Sequence, residues 1–158
     1  MKNDDNYVKI LFRYYSNVLD EETVETMWAI PIDEAKGLYK LDNIPFYGPL
    51  VASDDVVFAE YDESELMLTY RRIVQYSGNS IIQVILIKDG LEINEVRKVF
   101  EDMGCLSERV NEKYFAMEVA ANTDYRVIKR ELKQLEQQGL IEYAEPCLSE
   151  EHKLQSLD

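Results

Sequence analysis

The chain has 158 residues, enough for one domain or for two small units sharing a core. With 46% hydrophobic and 30% charged residues it has the balance of a folded globular protein, which excludes wholesale disorder. Its formal net charge of −14 at pH 7 repels phosphate backbones, so direct nucleic-acid binding is disfavoured, while basic partners are attracted.

From Tyr7 to Tyr76 short β-like runs alternate with turn residues. Tyr7 to Tyr14 places Val8, Ile10 and Phe12 on one face; Val24 to Ile32 follows, centred on Trp28, which is expected to anchor the core of this unit. Gly37 to Leu41 precedes the turn Asp42-Asn43-Ile44-Pro45, and Gly48-Pro49 breaks any helix before Asp54, leaving an ordered loop. Val56 to Tyr61 and Leu66 to Tyr76 flank the acidic turn Asp62-Glu63-Ser64-Glu65. Five strands at this spacing predict a small antiparallel barrel-like unit with no helix.

After Gly78-Asn79 the pattern changes. Ile81 to Ile87 is an almost continuous apolar strand, interrupted by Gln83, as expected of a strand buried on both faces. Leu91 to Met103 carries Ile93, Val96, Val99, Phe100 and Met103 on one helical stripe and stops at Gly104. A hairpin follows, Cys105 to Val110 and Tyr114 to Ala120. A second helix, capped by Asn122 or Thr123, bears Ile128, Leu132 and Leu135 and ends at Gly139; Ile141 to Ala144 is a last strand. Strand, helix, strand, strand, helix, strand is the ferredoxin-like β-α-β-β-α-β order. The fold class expected is therefore α+β, with a β-rich unit over residues 1–79, a ferredoxin-like unit over 80–148 and a flexible acidic tail over 149–158.

No apolar run reaches the ~18 residues needed to cross a bilayer. The opening Met1-Lys2-Asn3-Asp4-Asp5-Asn6 lacks the apolar stretch of a secretory signal, so a cytoplasmic protein is expected. Cys105 and Cys147 stand in no metal-ligand spacing and read as core thiols.

A catalytic centre is not expected. The single histidine, His152, falls in the tail, where nothing rigid holds it as a base. No serine sits in a nucleophile elbow and no glycine-rich loop opens a helix to cradle phosphate, so neither triad chemistry nor a nucleotide cofactor is expected. The acidic stretch from Asp54 to Glu65 lacks the alternation and central glycine of a calcium loop, so no metal is expected either. Arg71 and Arg72 are expected to pair with neighbouring acids across strands.

Two segments carry a family resemblance: Trp28-Ala29-Ile30-Pro31, and Gly37-Leu38-Tyr39-Lys40-Leu41-Asp42-Asn43-Ile44-Pro45-Phe46-Tyr47. They resemble a bacterial family of unknown function in which a W-A-x-P segment precedes a Y-x-L-D-N-I-P-F turn. The likeness continues through Asp55-Val56-Val57, Arg72-Ile73-Val74, Ser77-Gly78-Asn79-Ser80 and Met103-Gly104-Cys105 to Glu145-Pro146-Cys147-Leu148. Some members of such families resemble immunity proteins encoded beside polymorphic toxins. The resemblance implies no catalytic residue.

The function these features imply is that of an immunity or inhibitor protein that neutralises a cognate bacterial toxin, a basic nuclease being a natural target for an acidic surface. The partner-binding residues expected are Asp54, Asp55, Glu60, Tyr61, Asp62, Glu63 and Glu65, with Tyr61 as the aromatic anchor. A non-enzymatic small-molecule sensor is the alternative, and an enzyme with a scattered carboxylate and arginine site ranks third.

Overall fold

The structure is a computed structural model that describes residues 6–17, 19–47 and 49–157. Met1 to Asp5 of the polar opening, Gly48 of the helix-breaking pair and Asp158 lie outside the described residues. The architecture is mixed α+β. The chain divides into two units, Met1–Ser77 and Gly78–Asp158.

The first unit is a five-stranded sheet: β1 (Val8–Ser16), β2 (Glu21–Asp33), β3 (Leu38–Leu41), β4 (Val56–Asp62) and β5 (Met67–Gln75), neighbours in that order and antiparallel. β1 also meets β5 at one parallel position, Leu11 against Thr69. Strand alternation sends Ile10 and Phe12 from β1, Met27 and Ala29 from β2, Tyr39 and Leu41 from β3, and Val57 and Ala59 from β4 into one core. Phe12 stacks on Tyr70 there, with ring centroids 4.8 Å apart.

The parity of β2 corrects one expectation. Met27 and Ala29 face inward, so Trp28, between them, must face outward; it is 47% exposed, with the Lys9 ammonium 4.8 Å from its ring. The residue that goes inside with Met27 is Glu25.

Between β2 and β3 the chain turns through one 3-10 turn, Glu34–Lys36, where none was expected. Asp33 caps it by accepting from the Lys36 amide, and Gly37 ends it with φ +72°. Only glycine fits at this position. A Cβ would lie 2.8 Å from both the Ala59 carbonyl oxygen and the Phe58 ring, where β4 packs against the turn.

The second unit is a four-stranded antiparallel sheet in the order β7, β8, β6, β9, with three helices. In chain order these elements are β6 (Ser80–Leu86), α1 (Ile93–Glu101), β7 (Leu106–Arg109), β8 (Tyr114–Val119), α2 (Tyr125–Gln137), β9 (Ile141–Cys147) and α3 (Glu150–Gln155). Ile82, Val84 and Leu86 of β6 and Phe115, Met117 and Val119 of β8 form one apolar face. Ile93, Val96 and Phe100 of α1 and Tyr125, Ile128 and Leu132 of α2 pack in the same core. The cap of α2 is Asp124, whose carboxylate accepts from the Arg126 amide; a residue one or two positions earlier had been expected. Cys105 lies in this core and burial pushes its thiol up to about 12, so it remains protonated and unreactive; Cys147 is only half-buried.

Each edge strand of this sheet carries one position that resists pairing. Arg97 of α1 reaches β7, donating to the Ser107 hydroxyl at 2.9 Å and to the Ser107 carbonyl at 3.1 Å. β9 carries Pro146 beside its register shift.

The last described residues overturn the expectation of a flexible tail. Ser149 caps α3, and His152 is fully buried. The His152 Nδ1 is 2.5 Å from the Ser80 hydroxyl, Nε2 is 3.0 Å from the Thr123 carbonyl, and the Ser149 amide donates to the same Ser80 oxygen. The Thr123 carbonyl can only accept, so Nε2 carries a proton, and in the neutral ring Nδ1 accepts from Ser80. At the end of the helix Gln155 accepts from the Tyr125 amide at 2.7 Å.

Candidate functional site

The β4–β5 hairpin gathers most of the residues expected to meet a partner. Its turn is built by Asp62. One carboxylate oxygen accepts from the Ser64 amide at 2.9 Å, the Ser64 hydroxyl at 2.5 Å and the Glu65 amide at 3.2 Å, an Asx turn that sets the tip. The other oxygen accepts from Arg71 at 2.8 Å, and Arg71 also donates to Glu60 at 2.9 Å. Across the sheet Arg13 of β1 grips Glu65 with two parallel bonds of 2.9 and 3.0 Å and reaches Glu22 at 3.3 Å. Each guanidinium is thus shared by two carboxylates. With Glu63 at the tip, five carboxylates stand around two arginines, and the patch keeps an anionic surplus.

Tyr61 is 59% exposed beside these acids, and Leu66, at φ +60°, is 75% exposed. A leucine held in the left-handed region on a hairpin tip costs backbone energy that a glycine would not.

The seven expected residues divide. Glu60, Tyr61, Asp62, Glu63 and Glu65 come together on this hairpin. Asp54 stands apart on the loop before β4, exposed at φ +67°, with Lys40 at 3.9 Å. Asp55 is corrected: it is 1% exposed, and its carboxylate accepts from the Ala52 amide at 2.9 Å and the Ser77 amide at 2.8 Å. It is a structural tie, and no partner reaches it. Arg71 pairs with Glu60 and Asp62 as expected, whereas Arg72 lies over the Phe58 ring at 4.4 Å.

Burial and pairing move the two aspartates in opposite directions. Burial raises the Asp55 carboxyl, with the two amide donors pulling the other way. The Ser64 hydroxyl and Arg71 hold the Asp62 carboxyl well below the usual carboxylate range. The sign follows from linkage. Asp62, depressed on folding, contributes stability above the ordinary carboxylate pKa and loses it as pH falls through its own. Asp55, raised, works against folding above its own pKa and is relieved by acid. Carbon-detected titration should therefore show Asp55 taking up its proton at higher pH than an unfolded aspartate, and Asp62 at lower. Midpoints of both residues at the unfolded-aspartate value would refute both assignments.

The segments that carried the resemblance meet at a joint beside this sheet. The Trp28 amide donates to the Asn43 side chain at 2.7 Å and the Trp28 carbonyl accepts from the Asp42 amide at 2.9 Å, so both segments are stitched through backbone and amide groups. The loop then runs over Phe46 and Tyr47, whose amides donate to buried Glu25 at 2.6 and 3.1 Å, and it returns to β3. There the Asp54 amide meets the Leu41 carbonyl and the Leu41 amide meets the Asp55 carbonyl, both at 2.9 Å. Ala29 is a core residue. Every motif residue traced here serves the scaffold.

A family model described as a domain of unknown function, DUF4265, matches residues 25–143. The chain belongs to the DUF4265 family. No curated protein matches it. A solved structure titled a novel crystal structure of a hypothetical protein from Neisseria gonorrhoeae is similar in fold, with a TM-score of 0.76 and 20% identity over 89% of this chain and 94% of that one. At that identity the likeness concerns the fold alone.

Among the described residues no three His, Cys, Asp or Glu side chains gather as metal ligands, and no helix is long and apolar enough to cross a membrane.

Proposed function

We propose that this DUF4265 protein is a cytoplasmic immunity or inhibitor protein that binds a basic toxin through the β4–β5 hairpin and catalyses no reaction. The observation that carries the reading is the hairpin itself: exposed Tyr61 and Leu66 set among carboxylates that Arg13 and Arg71 hold in place. A nuclease presents a cationic groove to its substrate, and preorganised carboxylates with an aromatic anchor complement such a groove. Shared arginines fix the acids before binding, which lowers the ordering cost of association.

The strand orders support reading the first unit as a small barrel and the second as ferredoxin-like. Both would serve as rigid platforms for side-chain recognition.

Co-expression with the product of the adjacent open reading frame should rescue growth and give a stable pair on purification. In that pair, Glu60→Lys with Glu63→Lys should slow association by about tenfold or more at low salt and flatten its salt dependence. Unchanged kinetics would remove the hairpin from the interface, and failure of every neighbouring toxin-like product to bind would remove the immunity reading.

A further inference from the structure

A second place in the chain points to a different ligand, independent of the hairpin. Between the end of β6 and the start of α1, and under the β7–β8 turn, lies a pocket of about 450 Å³, within the ~300–1,000 Å³ of small-metabolite sites. Its wall carries three cations, Lys88, Arg109 and Lys113, and three carboxylates, Asp89, Glu92 and Glu112. The wall is thus evenly balanced, where the whole chain has 31 acidic and 17 basic residues.

Three of the six are already committed. Glu92 caps α1 by accepting from the Asn94 amide at 3.3 Å, and Lys113 pairs with Asp89 at 3.6 Å. Lys88, Arg109 and Glu112 have no side-chain partner among the described residues. Elsewhere Arg13, Arg71, Arg97 and Arg126 hydrogen-bond to oxygen, Arg72 lies on a ring, and Arg130 acts on Asp124 by its charge alone. An unpaired guanidinium on a concave wall of an acidic protein is a receptor for a carboxylate, which its fork grips with two bonds. Gly90 lies on the same wall at φ +87°, and a Cβ there would meet nothing within 4 Å, so the wall has free space at this point.

We propose that this pocket binds a small amino dicarboxylate, an acidic α-amino acid. Arg109 and Lys88 each take one carboxylate, and Glu112 takes the ammonium. The free charges on the wall, two positive and one negative, are the complement of that ligand.

Amide NMR of the full chain titrated with L-glutamate and L-aspartate tests this directly. Saturable shifts are expected at residues 88–93 and 109–113, with a dissociation constant below about 1 mM. Arg109→Gln and Lys88→Gln, both at exposed positions, should each weaken binding by about tenfold, the effect of losing one charge-assisted contact. Glu112→Gln should weaken the amino acids but not glutarate, which lacks the ammonium. Absence of saturation up to about 10 mM, unaltered binding by Arg109→Gln, or equal binding of inorganic phosphate at the same amides would overturn the proposal.

Discussion

His152→Ala is expected to destabilise the second unit by about 2–4 kcal/mol and to unseat the C-terminal helix α3. The imidazole is fully buried and bridges two parts of the chain far apart in sequence, Ser80 at the start of β6 and Thr123 ahead of α2. Truncation leaves the Ser80 hydroxyl without its acceptor and the Thr123 carbonyl without its donor, and it opens a void beside Tyr125, whose ring centroid is 5.6 Å from the imidazole. A six-residue helix has little stability of its own, so most of what holds α3 is this tertiary tie. His152→Asn separates the contributions: its amide oxygen overlays Nδ1 and can still accept from Ser80, while the bond to Thr123 is lost. Chemical denaturation followed by residue-resolved NMR should rank wild type above His152→Asn and His152→Ala lowest. Hydrogen exchange in the alanine variant should speed up at the amides of Ser149 and Tyr125. Wild-type protection at those amides would show that the clasp does not hold the helix.

Glu25→Ala is the second large effect, also about 2–4 kcal/mol, this time in the first unit. One carboxylate oxygen accepts from the Tyr14 hydroxyl at 2.7 Å and the Tyr47 amide at 3.1 Å, and the other accepts from the Phe46 amide at 2.6 Å. All three partners are donors, so only a group with two acceptor oxygens satisfies them. Glu25→Gln keeps the shape but turns an amide NH2 toward a donor, and about half of the cost should remain. Fluorescence of Trp28, the single tryptophan, sits on the same strand and can follow the transition. A glutamine variant as stable as wild type would show that the three donors have other outlets.

Both residues were invisible to the pattern that revealed most of the strands. β-Branched and aromatic runs marked β1, β4, β5, β6 and β8 because their burial follows composition. In β2 that guide misled: Trp28, Ile30 and Ile32 look like a core face, yet parity is set by Met27 and Ala29, and a carboxylate is the third inward residue. Burying Glu25 is favourable only because a loop some twenty residues later brings two amides to it, which no local window reports. His152 was missed for a related reason. One buried residue in a polar six-residue segment has no periodicity, and its partners are Ser80 and Thr123. At the candidate site, cross-strand pairing of Arg71 was legible from the excess of acids, and the cluster from Glu60 to Glu65 was legible from its turn chemistry. The division between Asp55 and its neighbours was not: a turn aspartate facing water and one tying two loops together have the same local sequence.

The guarded margins of the four-stranded sheet bear on how this molecule meets others. A carbonyl on β7 already occupied by Arg97, and a proline on β9 with no amide hydrogen to give, leave little for an incoming extended peptide to zip onto. Strand addition, the route by which many small sheets recruit ligands or grow into fibrils, meets an obstacle at Ser107 on one border and at Pro146 on the other. Side chains on a preformed surface are the route of recognition that these two blocked positions leave untouched.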